Sequence, residues 1–399
     1  MNQTLFFILL RPIEAVLASI SPIIDQEALS QKLFFADFFK KLCFAYLEQV
    51  SSLRSLSVEL QTNRKCQDLG FGETPFSTLK DGFYRFQSKH FKVLFETVLA
   101  SMDLQRLKCL DEIGLFRVID GSLFPTLIQM SWSEYRKRKN AFKLHLSFEL
   151  NRMIPLEFLI GSGKSSERTF LLKVIEAGVT YIADRGYTSF EVIAKLLKSE
   201  AYFVFRVKDN WLYEVKEGLI LAIAELPTCF RQVRDEIVIF SNDRNQSQVR
   251  LIQFEVAGSK FKIITNRFDI STLEIIILYA YRWQIELFFK YLKRTLNGLH
   301  LFNHSANGVG IQFYVLMTLA ILLLKMKQQC QSRAERKRKK EAKSEKNLEK
   351  KELNPSEWIK NISEIFYESW KIGKRWLLIV KNSLNKVIDN KLLTMLNSC

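Results

Sequence analysis

Asp120, Asp184 and Glu286 are the side chains in this sequence best placed to do chemistry. Asp120 ends an apolar run in "FRVIDGS" and Asp184 ends another in "YIADRGY", each followed within two residues by glycine. A carboxylate where a buried strand emerges is held rigidly, and a neighbouring glycine lets a ligand approach. Glu286 lies in "YAYRWQIELFFKYLK", which also carries Tyr279, Arg282 and Lys293. At about 100° per residue these four side chains fall within about 60° of one another around one helix. Most of the remaining circumference is apolar (Tyr281, Trp283, Ile285, Leu287, Phe288, Tyr291, Leu292), so the polar stripe faces something other than core. Carboxylate oxygens suit a hard cation such as Mg²⁺. Two such ions about 3.5 to 4 Å apart activate the attacking oxygen and stabilise the leaving one in phosphodiester chemistry. Arg282 and Lys293 would then contact phosphate, and Tyr279 would donate a hydrogen bond.

Each residue alone has an ordinary explanation. An Asp near a Gly is a common turn, and Glu286 between Arg282 and Lys290 matches a helix-surface ion network. The joint arrangement, an aspartate at the end of each of two strands and then a helical glutamate flanked by cations, is much harder to produce by chance.

The elements that must position these groups follow from periodicity. Residues 1–110 read as a helical N-terminal region, with "ALSQKLFFADFFKKLCFAYLEQVSSL" and "FSTLKDGFYRF" at helical spacing. Phe83, Phe86, His90, Leu94 and Val98 share one side, which makes His90 a core or boundary residue rather than a ligand. Around 111 the pattern turns to short strands: "GLFRVIDGS", "FPTLIQM", "AFKLHLSFEL" and "MIPLEFLIG". A helix over about 167–177, the strand "VTYIAD", a further helix and the strand "YFVFRV" give the alternation of an α/β sheet with a mixed edge. Residues 211–265 read as a β-rich insertion of antiparallel strands, "DEIVIFS", "SQVRLIQFEVA" and "KFKIITN". The quoted helix and an apolar helix ending at Leu324 follow. The domains expected are therefore 1–110, a core of 111–210 plus 266–325, the insertion 211–265, and a basic linker with a helical tail over 326–399.

Composition bounds the partner more than the fold. The chain has 399 residues, 48% hydrophobic, and its 59 Lys+Arg against 42 Asp+Glu leave a net charge of +17. That balance calls for a polyanion or an anionic surface. About half of the excess sits in residues 325–351, with 12 Lys/Arg against 4 Glu, equally readable as a solvated charged helix, a linker or a DNA-binding arm. Beyond it Trp358, Trp370 and Trp376 stand among lysines, as in a small helical appendage. The six cysteines are scattered without zinc-like spacing, as in a reducing compartment. The start, "MNQTLFFILLRPIEAV", has no basic n-region or cleavage site, which argues against secretion. The stretch "GVGIQFYVLMTLAILLL" falls short of the roughly 20 residues of a membrane span, so a buried helix and no membrane partner are expected.

Rival motifs are weaker. His300 and His304 in "HLFNH" have the i, i+4 spacing of a helical metal pair but no intervening Glu and no cysteine cluster. Asp209 in "RVKDN" could replace Asp184 as a ligand, but lies beyond a strand beside Lys208. "GSGKSS" lacks the four-residue spacer of a phosphate loop.

These residues resemble a known family, the DDE transposases of bacterial insertion sequences, specifically the group with a Tyr-x2-Arg-x3-Glu-x6-Lys signature (insertion-sequence family 4). Tyr279, Arg282, Glu286 and Lys293 match that spacing completely. "VIDGS" resembles the first-aspartate block, "IADRGY" the second, and "KLHLSFEL" and "YFVFRVKDN" the flanking strands. The likeness covers about residues 76–325 and is weak before it and absent in the basic tail. It implies an α/β fold: a ribonuclease H-like catalytic core, a mixed sheet flanked by helices, with a β-rich insertion and a helical N-terminal domain that binds DNA.

The resemblance further implies Asp120, Asp184 and Glu286 as catalytic ligands of two Mg²⁺ ions, with Mn²⁺ able to substitute. It implies DNA contacts by Tyr279, Arg282 and Lys293, with Trp283 and Arg185 as further candidates and Trp211 a weaker one. Some members flip a base near the cut onto a tryptophan; packing is the stronger expectation for Trp283 and Trp211. The activity implied is nicking at transposon ends and strand transfer in cut-and-paste transposition. The partners implied are double-stranded DNA, both terminal inverted repeats and target, and a second copy of the chain as a DNA-bound homodimer. The location implied is a bacterial cytoplasm, at the nucleoid. The alternatives are a nuclease of the same fold that does not join ends, a catalytically inactive DNA-binding copy, and a membrane-surface protein acting through its basic tail.

Overall fold

In the computed structural model, which describes residues 5–126, 132, 134–136, 139–219, 230–256 and 258–344, the chain builds a ten-stranded mixed sheet with helices on both faces. Helices α1 (Leu5–Leu10), α2 (Glu14–Glu27), α3 (Phe35–Leu47), α4 (Leu53–Thr62), α5 (Arg64–Asp68), α6 (Phe76–Arg85), α7 (Ser88–Ser101) and α8 (Lys108–Asp111) precede it. Phe83, Phe86, His90, Leu94 and Val98 are all buried, but on α6, the link after it and α7 rather than on one helix. Phe86 and Gln87 are extended, and Gln87 and His90 form a reciprocal cap that starts α7. His90 is thus a capping residue, with Nε2 3.3 Å from Glu27.

The remaining elements are β1 (Leu115–Thr126), β2 (Glu134–Arg136), β3 (Lys139–Glu149), β4 (Ile154–Ser162), α9 (Glu167–Lys173), β5 (Val179–Ala183), α10 (Phe190–Lys198), β6 (Tyr202–Arg206), β7 (Tyr213–Gly218), β8 (Phe230–Phe240), β9 (Gln248–Val256), β10 (Ser259–Thr265), α11 (Thr272–Tyr281), α12 (Trp283–Lys290) and α13 (Ala306–Ser344). The strand order is β2-β3-β1-β5-β6-β10-β9-β8-β7, with β4 also on β3. β5 runs parallel to β1 and β6, and the other pairings are antiparallel. Strands β7–β10 therefore continue the same sheet, with Ile264 of β10 opposite Phe205 of β6.

Alternating side chains sort the sheet into two faces. Ile119, Tyr181, Ala183, Phe203 and Phe205 pack with Phe170 of α9 and Val192 and Leu196 of α10. Phe116, Val118, Phe124, Ile182 and Val204 pack on the opposite face with α11, α12, α13 and the N-terminal helices. Asp120 and Ser122 fall in the second row, the polar members of a series that is otherwise phenylalanine and valine.

A buried ion pair fixes where α11 begins. Arg250 of β9 donates to Asp235 of β8 at 2.6 Å and to the carbonyls of Arg267 (3.0 Å) and Ile270 (2.6 Å). Thr272, the first residue of α11, donates to Asp235 at 2.7 Å, and Ser271 and Glu274 form a capping box.

Two helices are long and apolar enough to cross a membrane by length and composition, Leu5–Glu27 and Ala306–Cys330. In the second, 78% of the most apolar window is buried inside the fold, matching the buried helix expected from sequence. The basic run extends α13 to Ser344; residues 345–399, with Trp358, Trp370 and Trp376, lie outside the described residues.

Candidate active site

Asp120 stands in the interior of β1, not at a strand end as its sequence context predicts, because β1 continues to Thr126 and takes in "FPT", the start of the expected separate strand, as its last three residues. Its partner strand does end there. β1 pairs with β5 as far as Val118 opposite Ile182, and two further steps along that register bring Asp120 level with Asp184, just past the last residue of β5. Asp184 Oδ1 accepts from the Gly186 amide at 2.7 Å, and Asp120 Oδ1 accepts from the Gly121 amide at 2.8 Å. Burial, reinforced by the negative charges of Asp184 and Glu286, pushes the Asp120 carboxyl up to about 7, against the pull of the Gly121 amide and the Arg282 guanidinium.

The segment 279–293 is not the single helix predicted. Arg282 separates α11 from α12, where its amide bonds Tyr279 O (3.1 Å) and its carbonyl accepts from Ile285 (3.3 Å), the shorter i to i−3 spacing. After α12 the chain widens into a π-turn over Tyr291–Thr295, closed by Leu296 N–H on Tyr291 O at 3.1 Å. Gly298 permits the exit: a Cβ there would lie 2.8 Å from Leu292 O.

The stripe nevertheless converges on β1. Arg282 Nη2 donates to Glu286 Oε1 at 2.6 Å, while its Nη1 lies 3.9 Å from Asp120 Oδ2. Lys293 Nζ donates to Ser122 Oγ and to Leu123 O, both at 2.8 Å, and lies 4.6 Å from the centre of the Phe124 ring. Burial lowers the Lys293 ammonium below its usual range. Tyr279 is nearly buried, 5.9 Å from the Arg282 guanidinium, and burial raises its phenol. Trp283 is half exposed beside Arg282, and Arg185 is exposed next to Asp184. Trp211 packs on Phe190 and Phe240, at 4.4 and 5.1 Å between ring centres.

Two of the three carboxylates, Asp120 and Glu286, flank one guanidinium, and Asp184 lies on the other side of Asp120 along the strand register. Among the described residues no three His, Cys, Asp or Glu side chains come close enough to hold a metal ion together. The reason is visible in the pairing: Glu286 is turned to Arg282. The rival candidates go elsewhere. His300 meets the Ser51 carbonyl, the His304 carbonyl accepts from Trp132, and Asp209 is exposed.

Several neighbours carry no sequence signal. Ser122 receives Lys293. Glu167, held by Lys143 at 2.5 Å, reaches Asp184 across Gly186: a Cβ on that glycine would stand 2.6 Å from Glu167 Oε2 and 3.1 Å from Asp184 Oδ1. Glu167 opens a short helix, and nothing in its spacing links it to Asp184. Behind Gly121, His145 is buried, its Nε2 2.8 Å from Ser165 Oγ, and burial lowers its imidazole to about 4.

Residues 113–323, a span holding Asp120, Asp184 and the whole 279–293 segment, match the family described as the transposase DDE domain. The chain belongs to this family. Among relatives of this transposase domain is the probable transposase for insertion sequence element IS5377 of Geobacillus stearothermophilus, 23% identical over 237 residues, covering 58% of this chain and 62% of the relative. The putative transposase y4zB of Sinorhizobium fredii is 26% identical over 216 residues, 53% of this chain and 60% of the relative. The putative transposase for insertion sequence element IS4SA of Synechocystis sp. is 26% identical over 193 residues, 45% of this chain and 52% of the relative. The chain thus spans between half and two thirds of the length of these relatives. A solved structure of a piggyBac transposase synaptic complex with hairpin DNA aligns over 99% of this chain and 85% of that one, at 11% identity and a TM-score of 0.45.

Proposed function

We propose that this chain is a transposase of a bacterial insertion sequence that binds the element's terminal inverted repeats, cleaves the DNA there and joins the freed ends to target DNA. The observation that carries the reading is Asp120 level with Asp184 on neighbouring strands, and joined to Glu286 through the Arg282 guanidinium, inside the segment that matches the transposase DDE domain. The order β4-β3-β1-β5-β6, with the first aspartate on the central strand and the second after its parallel neighbour, supports a ribonuclease H-like core.

The donor set fits a hard divalent cation. All three donors are carboxylates, and their mutual repulsion, which helps raise Asp120, is offset in this structure by a single guanidinium. Asp120, Asp184 and Glu286 would hold two Mg²⁺ ions, with Mn²⁺ as a substitute, once Glu286 leaves Arg282. Ions bound there would supply Lewis-acid activation of the attacking oxygen and neutralise charge on the leaving one.

This chain's own residues orient the DNA. Arg282, released from Glu286, and Lys293, beside Ser122, would contact phosphates flanking the cut, with Tyr279, Trp283 and Arg185 as further contacts. The fold anchors these groups to the aspartates through the Arg250–Asp235 pair and the start of α11. The same reading brings two copies together on a pair of element ends, in the cytoplasm at the nucleoid.

The test is incubation of the full chain with a labelled duplex carrying its own element's terminal repeat, with and without Mg²⁺. Metal-dependent cuts at the repeat boundary and joined strands are expected, and both should vanish in Asp184→Asn. Cuts without joined strands would make the protein a nuclease, and binding without cleavage an inactive DNA-binding copy.

A further inference from the structure

A cleft of about 880 Å³ opens between α4, α6 and the loop that follows the π-turn, with Pro125 of β1 in its wall. Pro125 lies five residues along β1 from Asp120, about 17 Å at the usual strand rise. Arg54, Lys80, His300 and His304 line the cleft, and no Asp or Glu appears among the described residues that line it. Aromatic rings accompany the cations. Arg54 lies 4.8 Å above the Phe76 ring, and Tyr84, one helical turn beyond Lys80, is 65% exposed.

The walls are held in place. Buried Gln312 of α13 accepts from Phe302 N–H at 2.6 Å and donates to Asn303 O at 2.8 Å, while its Oε1 also takes the Tyr46 hydroxyl at 3.1 Å. The His300 ring meets the Ser51 carbonyl at the foot of α4. The loop and the N-terminal helices therefore present one preformed surface.

A preformed cleft with cations, aromatic rings of which Tyr84 is exposed, and no carboxylate among its described lining residues matches a strand of nucleic acid, with phosphates drawn to the cations and flat groups to the rings. We infer that this cleft binds the DNA flank, with phosphate at Arg54 and Lys80 and a sugar or base against Tyr84. At about 3.4 Å per nucleotide along one strand, the wall of the cleft at Pro125 lies roughly five nucleotides from a phosphate positioned at Asp120. The inference rests on the DNA-cleaving reading above and adds to it a separate docking site contributed by the N-terminal helices.

The test measures binding of the full chain to a fluorescein-labelled duplex by anisotropy, without divalent metal, across a range of salt. Arg54→Ala/Lys80→Ala should weaken binding and make the slope of log K against log salt shallower by about 1.8, the loss of two phosphate contacts. Lys108→Ala/Lys198→Ala, which removes two exposed lysines at the edge where β1 and β6 begin, should keep the parental slope. A parental slope in the Arg54/Lys80 variant overturns the inference. If that variant does not fold, photo-cross-linking of a 5-iodouracil duplex to the parent decides it. Adducts within 76–84 or 299–305 support the cleft, and adducts confined to other segments overturn it. The two readings fail separately. A parental slope with metal-dependent cleavage intact removes only the cleft, and a shallower slope in a protein that never cleaves removes only the transposase reading.

Discussion

Arg282 donates to Glu286 at 2.6 Å from the junction between α11 and α12. The same guanidinium lies 3.9 Å from Asp120, so one cation serves two carboxylates of the candidate site. Metal ions binding these carboxylates as proposed would compete with it. The pair is partly exposed, and such pairs contribute about 0.2 to 1 kcal/mol. Arg282→Ala should therefore raise the affinity of the DNA-free protein for Mn²⁺ by up to about fivefold while weakening DNA binding. Mn²⁺ titration followed by electron paramagnetic resonance measures the first effect, and a fall in Mn²⁺ affinity would mean that Arg282 supports the site rather than occupying it.

Asp120 predicts an unusual pH dependence. Its carboxyl is pushed up to about 7 in the fold, whereas an unfolded aspartate titrates near 4. Between those values the folded state holds a proton that the unfolded state has lost, so stability falls as pH rises from about 4 to about 7 and stays low above. Asp120→Asn removes this penalty. The metal-free variant should be more stable than the parent at pH 8, by a few kcal/mol at most, with the difference shrinking towards pH 4. Urea titrations at the two pH values check it; an equal difference at both would place the ionised Asp120 carboxylate at no cost in the fold.

Lys293 joins the π-turn to β1. Loss of its bonds to Ser122 and Leu123 should cost about 1.5 to 3 kcal/mol, the range for a charged hydrogen bond. If the same ammonium also neutralises one phosphate, Lys293→Ala shallows the salt dependence of DNA binding by about 0.9. An unchanged slope would confine Lys293 to a structural role.

The Arg250–Asp235 pair carries no proposed chemistry, yet it sets the start of α11. Both side chains are almost fully buried, and Asp235→Ala strands a guanidinium. A loss of about 3 to 5 kcal/mol is expected, seen as a lower urea midpoint, with DNA cleavage lost only as the fold is lost. A folded, equally stable Asp235→Ala that no longer cleaves would show instead that α11 positioning is separable from stability.

The relations among Asp120, Asp184 and Glu286 were only partly legible in the sequence. Short apolar runs ending in "FRVID" and "YIAD" reveal two strands and their aspartates, because burial on both faces of a strand leaves a continuous apolar run rather than an alternation. The parallel register that sets Asp120 level with Asp184 joins residues 64 positions apart, and no local pattern encodes it. Side-chain spacing correctly set Arg282 one turn from Glu286, yet the break at Arg282 and the π-turn at Tyr291 escaped it. Both are departures in backbone hydrogen bonding within a sequence that remains helical in composition. Glu167 was invisible for another reason, since its approach to Asp184 depends on the missing Cβ of Gly186. Strands β8–β10 were readable one by one; β7 was not, because its run "YEVKEG" is mostly polar, and the attachment of all four to β6 through β10 is a tertiary pairing.

The most direct measurement is diffraction at the manganese absorption edge from crystals of the protein soaked in Mn²⁺. Anomalous density is expected between Asp120 and Asp184, with the Glu286 carboxylate turned from Arg282 towards it, and that density should be lost in Asp120→Asn. Manganese bound elsewhere, with Glu286 still paired to Arg282 at saturating metal, would contradict the assignment of these carboxylates.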